Sequence, residues 1–150
     1  MASRTAADGS DEAGKLLQEL VNYISHRSGE TLSIMNNASV TLPQVLLLVR
    51  LTEARETAVS DLAARLNMSL PSVSQMVDRL YQLGLVSRRE DAADRRRKVL
   101  TATSKAKTLL GRIGAARSAE YASGLAALEP ALRKKFAEVL QSVLQDLRSA

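Results

Sequence analysis

Two groups of side chains near the middle of the chain have the types and spacing to do chemistry. Ser69, Leu70, Pro71, Ser72, Ser74, Gln75 and Arg79 set short hydroxyls, an amide and one guanidinium at the start of a helical stretch. Serine can hydrogen-bond several base edges, glutamine matches adenine N6 and N7 in a bidentate way, and the arginine one turn on suits phosphate or a flanking base. Asp94, Arg95, Arg96, Arg97 and Lys98 follow as a basic run headed by a carboxylate. Cations on a protruding loop neutralise phosphates and make binding salt-dependent. One guanidinium can also enter a narrow minor groove, where the potential is most negative. Asp94, two residues before Arg96, can hold that arginine by a charge-assisted bond. Each group alone reads as a solvated surface; both in one short segment point to duplex DNA.

Such groups act together only if a helix presents the first beside a hairpin that carries the second. The sequence supplies both. Thr41 caps a helix whose Gln44, three residues on, completes a capping box, with Pro43 in the first turn. Val45 to Leu51 is apolar nearly all round, which predicts a buried helix. Val59, Leu62, Ala63 and Leu66 mark a second helix, ending at Asn67, a residue that tolerates the left-handed conformation. Ser69 caps a third, with Pro71 in its first turn. Val73, Met76, Val77, Leu80 and Leu83 make its inward stripe and leave Ser72, Ser74, Gln75, Asp78, Arg79 and Gln82 outside. Gly84 is a left-handed stop, and Leu85 can pack back on the last turn. Leu85 to Arg89 and Arg97 to Thr101 can pair as a hairpin around Glu90 to Arg96. The outline is a winged helix-turn-helix, whose second helix reads base edges near its N-terminus.

The flanks are helical. Ala13, Leu16, Leu17, Leu20, Val21 and Ile24 fall on one helical face, and a kink or a break follows near Ser28-Gly29 before Leu32, Ile34 and Met35. Thr103 or Ser104 caps a long helix carrying Ala106, Leu109, Leu110 and Ile113, and Glu129-Pro130 interrupts or restarts it. The last helix bears Leu132, Phe136, Val139, Leu140, Val143, Leu144 and Leu147, more apolar face than one small monomer needs. A homodimer is expected. The divisions are a disordered tail at 1–10, an N-terminal dimerisation region at 11–40, a DNA-binding lobe at 41–103 and C-terminal dimerisation helices at 104–150. The fold class is mainly α with a small β-hairpin wing.

Composition narrows the function classes. In 150 residues, 45% are hydrophobic but there are no Trp, one Phe and three Tyr, so the core is aliphatic. The formal charge is +5, and seven basic against four acidic residues lie between Asp78 and Lys98, a surplus of three in a seventh of the chain. A basic segment of this kind favours a polyanionic partner. The absence of cysteine removes disulfides, thiolate metal sites, cysteine nucleophiles and thiol redox sensing. Met1 to Ser10 lacks a signal-peptide core, and no stretch approaches the roughly 18 apolar residues of a membrane span. A soluble, cytoplasmic protein is expected. A single His26, no Walker lysine motif, no G-x-G-x-x-G and no H-E-x-x-H leave no catalytic constellation, so neither an enzyme nor a cofactor is expected. The rival reading is an adaptor whose winged helix meets an acidic protein partner.

Several short motifs in order resemble the MarR family of winged-helix transcriptional regulators. They are Thr41-Leu42-Pro43-Gln44, Ser60-Asp61-Leu62-Ala63, Val77-Asp78-Arg79-Leu80, Leu83-Gly84-Leu85-Val86, and Asp94-Arg95-Arg96 followed by Thr103. The likeness extends over most of the chain from about Asp11. It implies that Arg96 is the minor-groove arginine of the wing, Asp94 its positioning partner, and Ser69 to Arg79 the recognition helix. It also implies a homodimer on a pseudo-palindrome, repression by default, and release by a small, frequently aromatic or phenolic ligand. By position, Tyr23, His26, Arg27, Met35 and Asn36 are the candidate ligand residues. Gln75 stands where many members carry arginine, Ala102 replaces a leucine, and Ala106 replaces a common glycine.

Overall fold

The fold, seen in a computed structural model that describes residues 3–25, 29–90 and 98–149, is mostly helical with one antiparallel hairpin. The elements run α1 (Ser3–Ile24), α2 (Glu30–Asn37), α3 (Leu42–Ala54), α4 (Val59–Leu66), α5 (Leu70–Gln82), β1 (Val86–Glu90), β2 (Lys98–Ala102), α6 (Ser104–Leu125) and α7 (Pro130–Ser149). Contacts gather Glu30–Ala116 into one compact unit and Met1–Gly29 with Arg117–Ala150 into another. The first therefore takes in α2 and the start of α6 as well as the expected lobe at 41–103.

Local signals shape the unit Glu30–Ala116. The Thr41 N–H donates to Gln44 Oε1 at 2.9 Å and starts α3. Val45, Leu47, Leu48 and Leu51 are buried, whereas Leu42 and Leu46 are each 51% exposed. The expectation of a helix buried all round is thus corrected: α3 has a dry side and a wet one. Asn67 closes α4 at φ 51, ψ 45, in the left-handed region. Leu47, Leu48, Leu51, Leu62, Val73, Val77, Leu80, Leu85 and Leu100 are the largest fully buried side chains of the core. Each such leucine contributes roughly 1.5–3 kcal/mol by leaving water.

The hairpin pairs Val86 with Ala102, Ser87 with Thr101, Arg88 with Leu100, Arg89 with Val99 and Glu90 with Lys98. Each strand ends one residue later than the sequence suggests, at Glu90 and at Ala102. The reason is burial: Val86, Val99 and Leu100 are drawn into the core and set the register. A further pairing was not foreseen. Thr57 bridges Leu100, with N–H to O distances of 3.2 and 2.8 Å. The chain reaches that position through a tight reversal at Arg55 (φ 62, ψ −57), where the Glu56 N–H donates to Ala54 O at 2.7 Å. Positive φ at a non-glycine residue costs about 1–3 kcal/mol, offset here by anchoring the hairpin to the helical core.

In the other unit, α1 is helical from Ser3, so the expectation of a disordered 1–10 gives way to helix over most of that range. Extending a helix that is already nucleated needs only one further bond per residue. The interruption near Ser28-Gly29 is a break: α1 stops at Ile24, Gly29 has φ 64, and α2 restarts at Glu30. Among the side chains of α7 none is buried, and Leu132, Val139, Leu140, Val143, Leu144 and Leu147 are 39–69% exposed. Leu16, Leu17 and Tyr23 of α1 are exposed as well. No single helix among the described residues is long and apolar enough to cross a membrane.

Within this unit α6 approaches α1 closely at Gly124. A Cβ at Gly124 would lie 2.6 Å from Ile24 Cβ and 2.9 Å from its Cα. Gly124→Ala should therefore cost about 1–3 kcal/mol, because backbone has to move. Gly111→Ala, in the same helix but with nothing within 4 Å, should instead gain about 0.5–1 kcal/mol. Thermal unfolding of the two variants checks the opposite signs.

Candidate nucleic-acid interface

The site is built on α5. Ser69 Oγ accepts from the Ser72 N–H at 3.3 Å and lies 2.8 Å from Ser72 Oγ, so the first turn is capped and its hydroxyls are mutually ordered. Three residues, Val73, Val77 and Leu80, are surrendered to the core. Their spacing turns Gln75, Asp78, Arg79 and Gln82 to solvent, with Ser72 half-buried and Leu70 and Pro71 exposed. The recognition residues read from the sequence thus occupy the exposed side and N-terminal end of one helix. Ser74 departs from them. It lines a crevice of about 130 Å³ with Val59, Val77, Asp78, Arg88, Lys98 and Leu100, where α4 and α5 meet the hairpin.

The C-terminus of α5 ends in a paired closure. Gly84, at φ 72, donates to Tyr81 O at 2.9 Å and Leu85 to Leu80 O at 2.9 Å. Glycine is the residue that holds this conformation without a Cβ penalty. The next residues enter β1, so the hairpin starts where the helix stops. Thr103, one of the two expected caps of α6, accepts from the Ala106 N–H at 3.2 Å and fills that role.

Charge in this region is partly structural. Arg88, on β1, pairs with Asp78 of α5, and its guanidinium carbon lies 5.0 Å from the Tyr81 ring centroid. Arg89 pairs with Glu56. Two of the seven basic residues that gave the local surplus are therefore struts joining the hairpin to α5 and to the turn after α3. Arg79 and Lys98 form no ion pair with a described residue. Asp94, Arg95, Arg96 and Arg97 lie outside the described residues; β1 and β2 bracket them at Glu90 and Lys98. The struts escaped sequence reasoning because charge was counted along the chain. Their one legible signal was an outward Asp78 close to an arginine-rich strand.

Of the candidate ligand residues, Met35 is 7% exposed in the core, Asn36 is on the surface and Tyr23 is 71% exposed in the other unit. His26 and Arg27 lie outside the described residues. One cavity of Glu30–Ala116 is lined by none of the three placed residues. That cavity, of about 610 Å³, is walled by Ile34, Leu83, Leu85 and Leu109 with Lys105 and Arg112 at its polar edge. Among the described residues no group of three or more His, Asp or Glu could hold a metal ion.

The Asp78–Arg88 strut can be measured directly. Because both side chains keep solvent contact, a double-mutant cycle of Asp78→Asn and Arg88→Met should return a coupling of about 0.5–1 kcal/mol in folding stability. Additive effects would show that Asp78 and Arg88 do not stabilise one another.

Residues 40–98 match the MarR family. No curated protein matches the chain. Among solved structures, YusO from Bacillus subtilis is 25% identical, with 97% of this chain and 98% of that chain covered and a TM-score of 0.67. A MarR family protein from Bacillus stearothermophilus is 22% identical over 99% of both chains, TM-score 0.68. A point mutant of S. aureus MepR, bound to an oligodeoxyribonucleotide, is 19% identical over 90% of this chain and 97% of that one, TM-score 0.68. The capped α4–turn–α5 segment and its anchored hairpin thus lie within the stretch that matches the MarR family, in a fold similar to that of these solved winged-helix structures.

Proposed function

We propose that this protein is a transcriptional regulator that binds duplex DNA sequence-specifically as a homodimer, with repression as its default action. The observation that carries the reading is the outward face of α5, where Gln75 and Arg79 stand clear of the core beside the capped Ser69–Ser72 turn and a hairpin wing. The MepR structure with its oligodeoxyribonucleotide is a relative of the same fold in contact with DNA. The exposed apolar residues of α1 and α7 support a homodimer, since a stripe such as Val139, Leu140, Val143, Leu144 and Leu147 is the seam of a helix–helix interface. The protein acts in the cytoplasm, without enzymatic chemistry or cofactor. A small, often aromatic effector releases it, and the 610 Å³ cavity walled by Ile34, Leu83, Leu85 and Leu109 supports a site for it.

The direct experiment is selection of bound duplexes from a random pool by the purified protein. A pseudo-palindrome should emerge, with half-site centres about 10–10.5 base pairs apart or a multiple of that. Failure to enrich any duplex, together with binding to an acidic protein surface, would favour the adaptor instead.

The wing supplies a further expectation. Arg96→Ala should weaken binding to the selected duplex and lower the salt-dependence slope by about one for every phosphate the side chain engages. Asp94→Ala should weaken it as well, although a negative charge is removed, because a loosely held arginine loses more entropy on docking. Simple charge counting gives the opposite sign. Affinities of both variants across a salt series decide, and tighter binding by Asp94→Ala would reduce the wing to a diffuse basic patch.

A further inference from the structure

The end of α5 is tied to the start of α6 by three bonds that reach across the whole hairpin. Lys105 Nζ donates to Leu83 O at 2.8 Å, Thr103 Oγ1 to Gly84 O at 2.8 Å, and the Thr103 N–H to Leu85 O at 3.1 Å. Three consecutive carbonyls at the end of the helix thus find donors 18 to 22 residues away. Tyr81 O and Leu80 O are already taken by the Gly84 and Leu85 amides. Thr103 closes the base of the hairpin and caps α6 with the same hydroxyl. Lys105 does neither. It is the one charged donor in the tie, and a cation at a helix C-terminus is favoured by the partial negative charge of the last carbonyls.

Leverage makes this tie matter. α5 has 13 residues, about 20 Å at 1.5 Å per residue, so a swing of roughly 5° about its C-terminus would carry its N-terminal residues by about 1.7 Å. A bidentate contact to a base edge tolerates only a few tenths of an ångström. We infer that Lys105 is a positioning residue for DNA recognition, holding the pose of α5 through the Leu83 carbonyl so that Ser72 and Gln75 meet base edges. The inference rests on the DNA-binding reading of α5. Lys105 acts here through another group and touches no phosphate. Its bond also makes the orientation of α5 follow that of the first turn of α6.

Lys105→Met keeps the stem and removes the donor; Lys105→Arg keeps a donor. Affinities for the selected duplex and for a scrambled duplex should be measured across a salt series, with amide hydrogen exchange at Gly84 and Leu85 and the thermal midpoint. The expected result for Lys105→Met is a loss of about three- to tenfold on the selected duplex, the size of one charge-assisted bond in partial contact with water. Affinity for the scrambled duplex and the salt slope should stay unchanged, exchange at Gly84 and Leu85 should quicken, and Lys105→Arg should recover most of the loss. Equal losses on both duplexes with a slope lower by about one would make Lys105 a phosphate contact and overturn the inference. Unchanged affinity would overturn it too, as would a loss that follows the thermal midpoint and is not rescued by arginine. If the wild-type protein prefers no duplex, the DNA-binding reading falls and this role with it. Exchange at Gly84 and Leu85 would then still report whether the tie exists.

Discussion

What α5 offers to solvent depends on what it gives up to the core. Val73, Val77 and Leu80, each 0–1% exposed, lock the rotation of the helix about its own axis. A slip of one residue would turn the helix by about 100° and carry Gln75 away from solvent. Burial of three aliphatic side chains at roughly 1.5–3 kcal/mol each outweighs anything the exposed polar face contributes to stability. The polar face is therefore free to be chosen for recognition. The same core takes in Leu85, Val86 and Leu100, so the helix and the hairpin are set against one apolar cluster.

Electrostatics then divides into two kinds of work. Asp78 and Glu56 engage Arg88 and Arg89 and turn both arginines of β1 into framework, leaving Arg79 of α5 outside it. Tyr81 adds its ring face to Arg88, an arrangement that lysine would fill less well. A basic surplus counted along the chain thus overstates what a polyanion would meet. Arg79 and Lys98 are the described cations of that segment without an ion pair to a described residue, one on α5 and one at the loop end of the hairpin.

Legibility in the sequence followed the range of the interaction. The Gln44 return to Thr41, the left-handed Asn67, the Ser69 cap and the Gly84 stop were readable because each is decided within four or five residues. The inward stripe of α5 was readable for the same reason. The hairpin was found one residue out of place, since Arg88, Arg89 and Lys98 have little strand preference and the register is set by Val86, Val99 and Leu100 meeting the core. The Thr57–Leu100 bridge, the Arg88 strut and the Lys105 bond span 10 to 43 residues and have no local signature. Met35, a candidate ligand residue by its position in the chain, is buried in the core. The cavity in Glu30–Ala116 is lined from three separate stretches that no local pattern connects.

The central claim is that the outward face of α5 reads base edges, and Gln75 is where it can be tested most sharply. Random-duplex selection should be run side by side on the wild-type protein and on Gln75→Arg. Glutamine matches adenine at N6 and N7, while arginine matches guanine at O6 and N7. An adenine at one position in each half-site should give way to guanine, with spacing, symmetry and the remaining positions unchanged. Recovery of the same sequence by both proteins would contradict the claim and take base reading away from this face of α5.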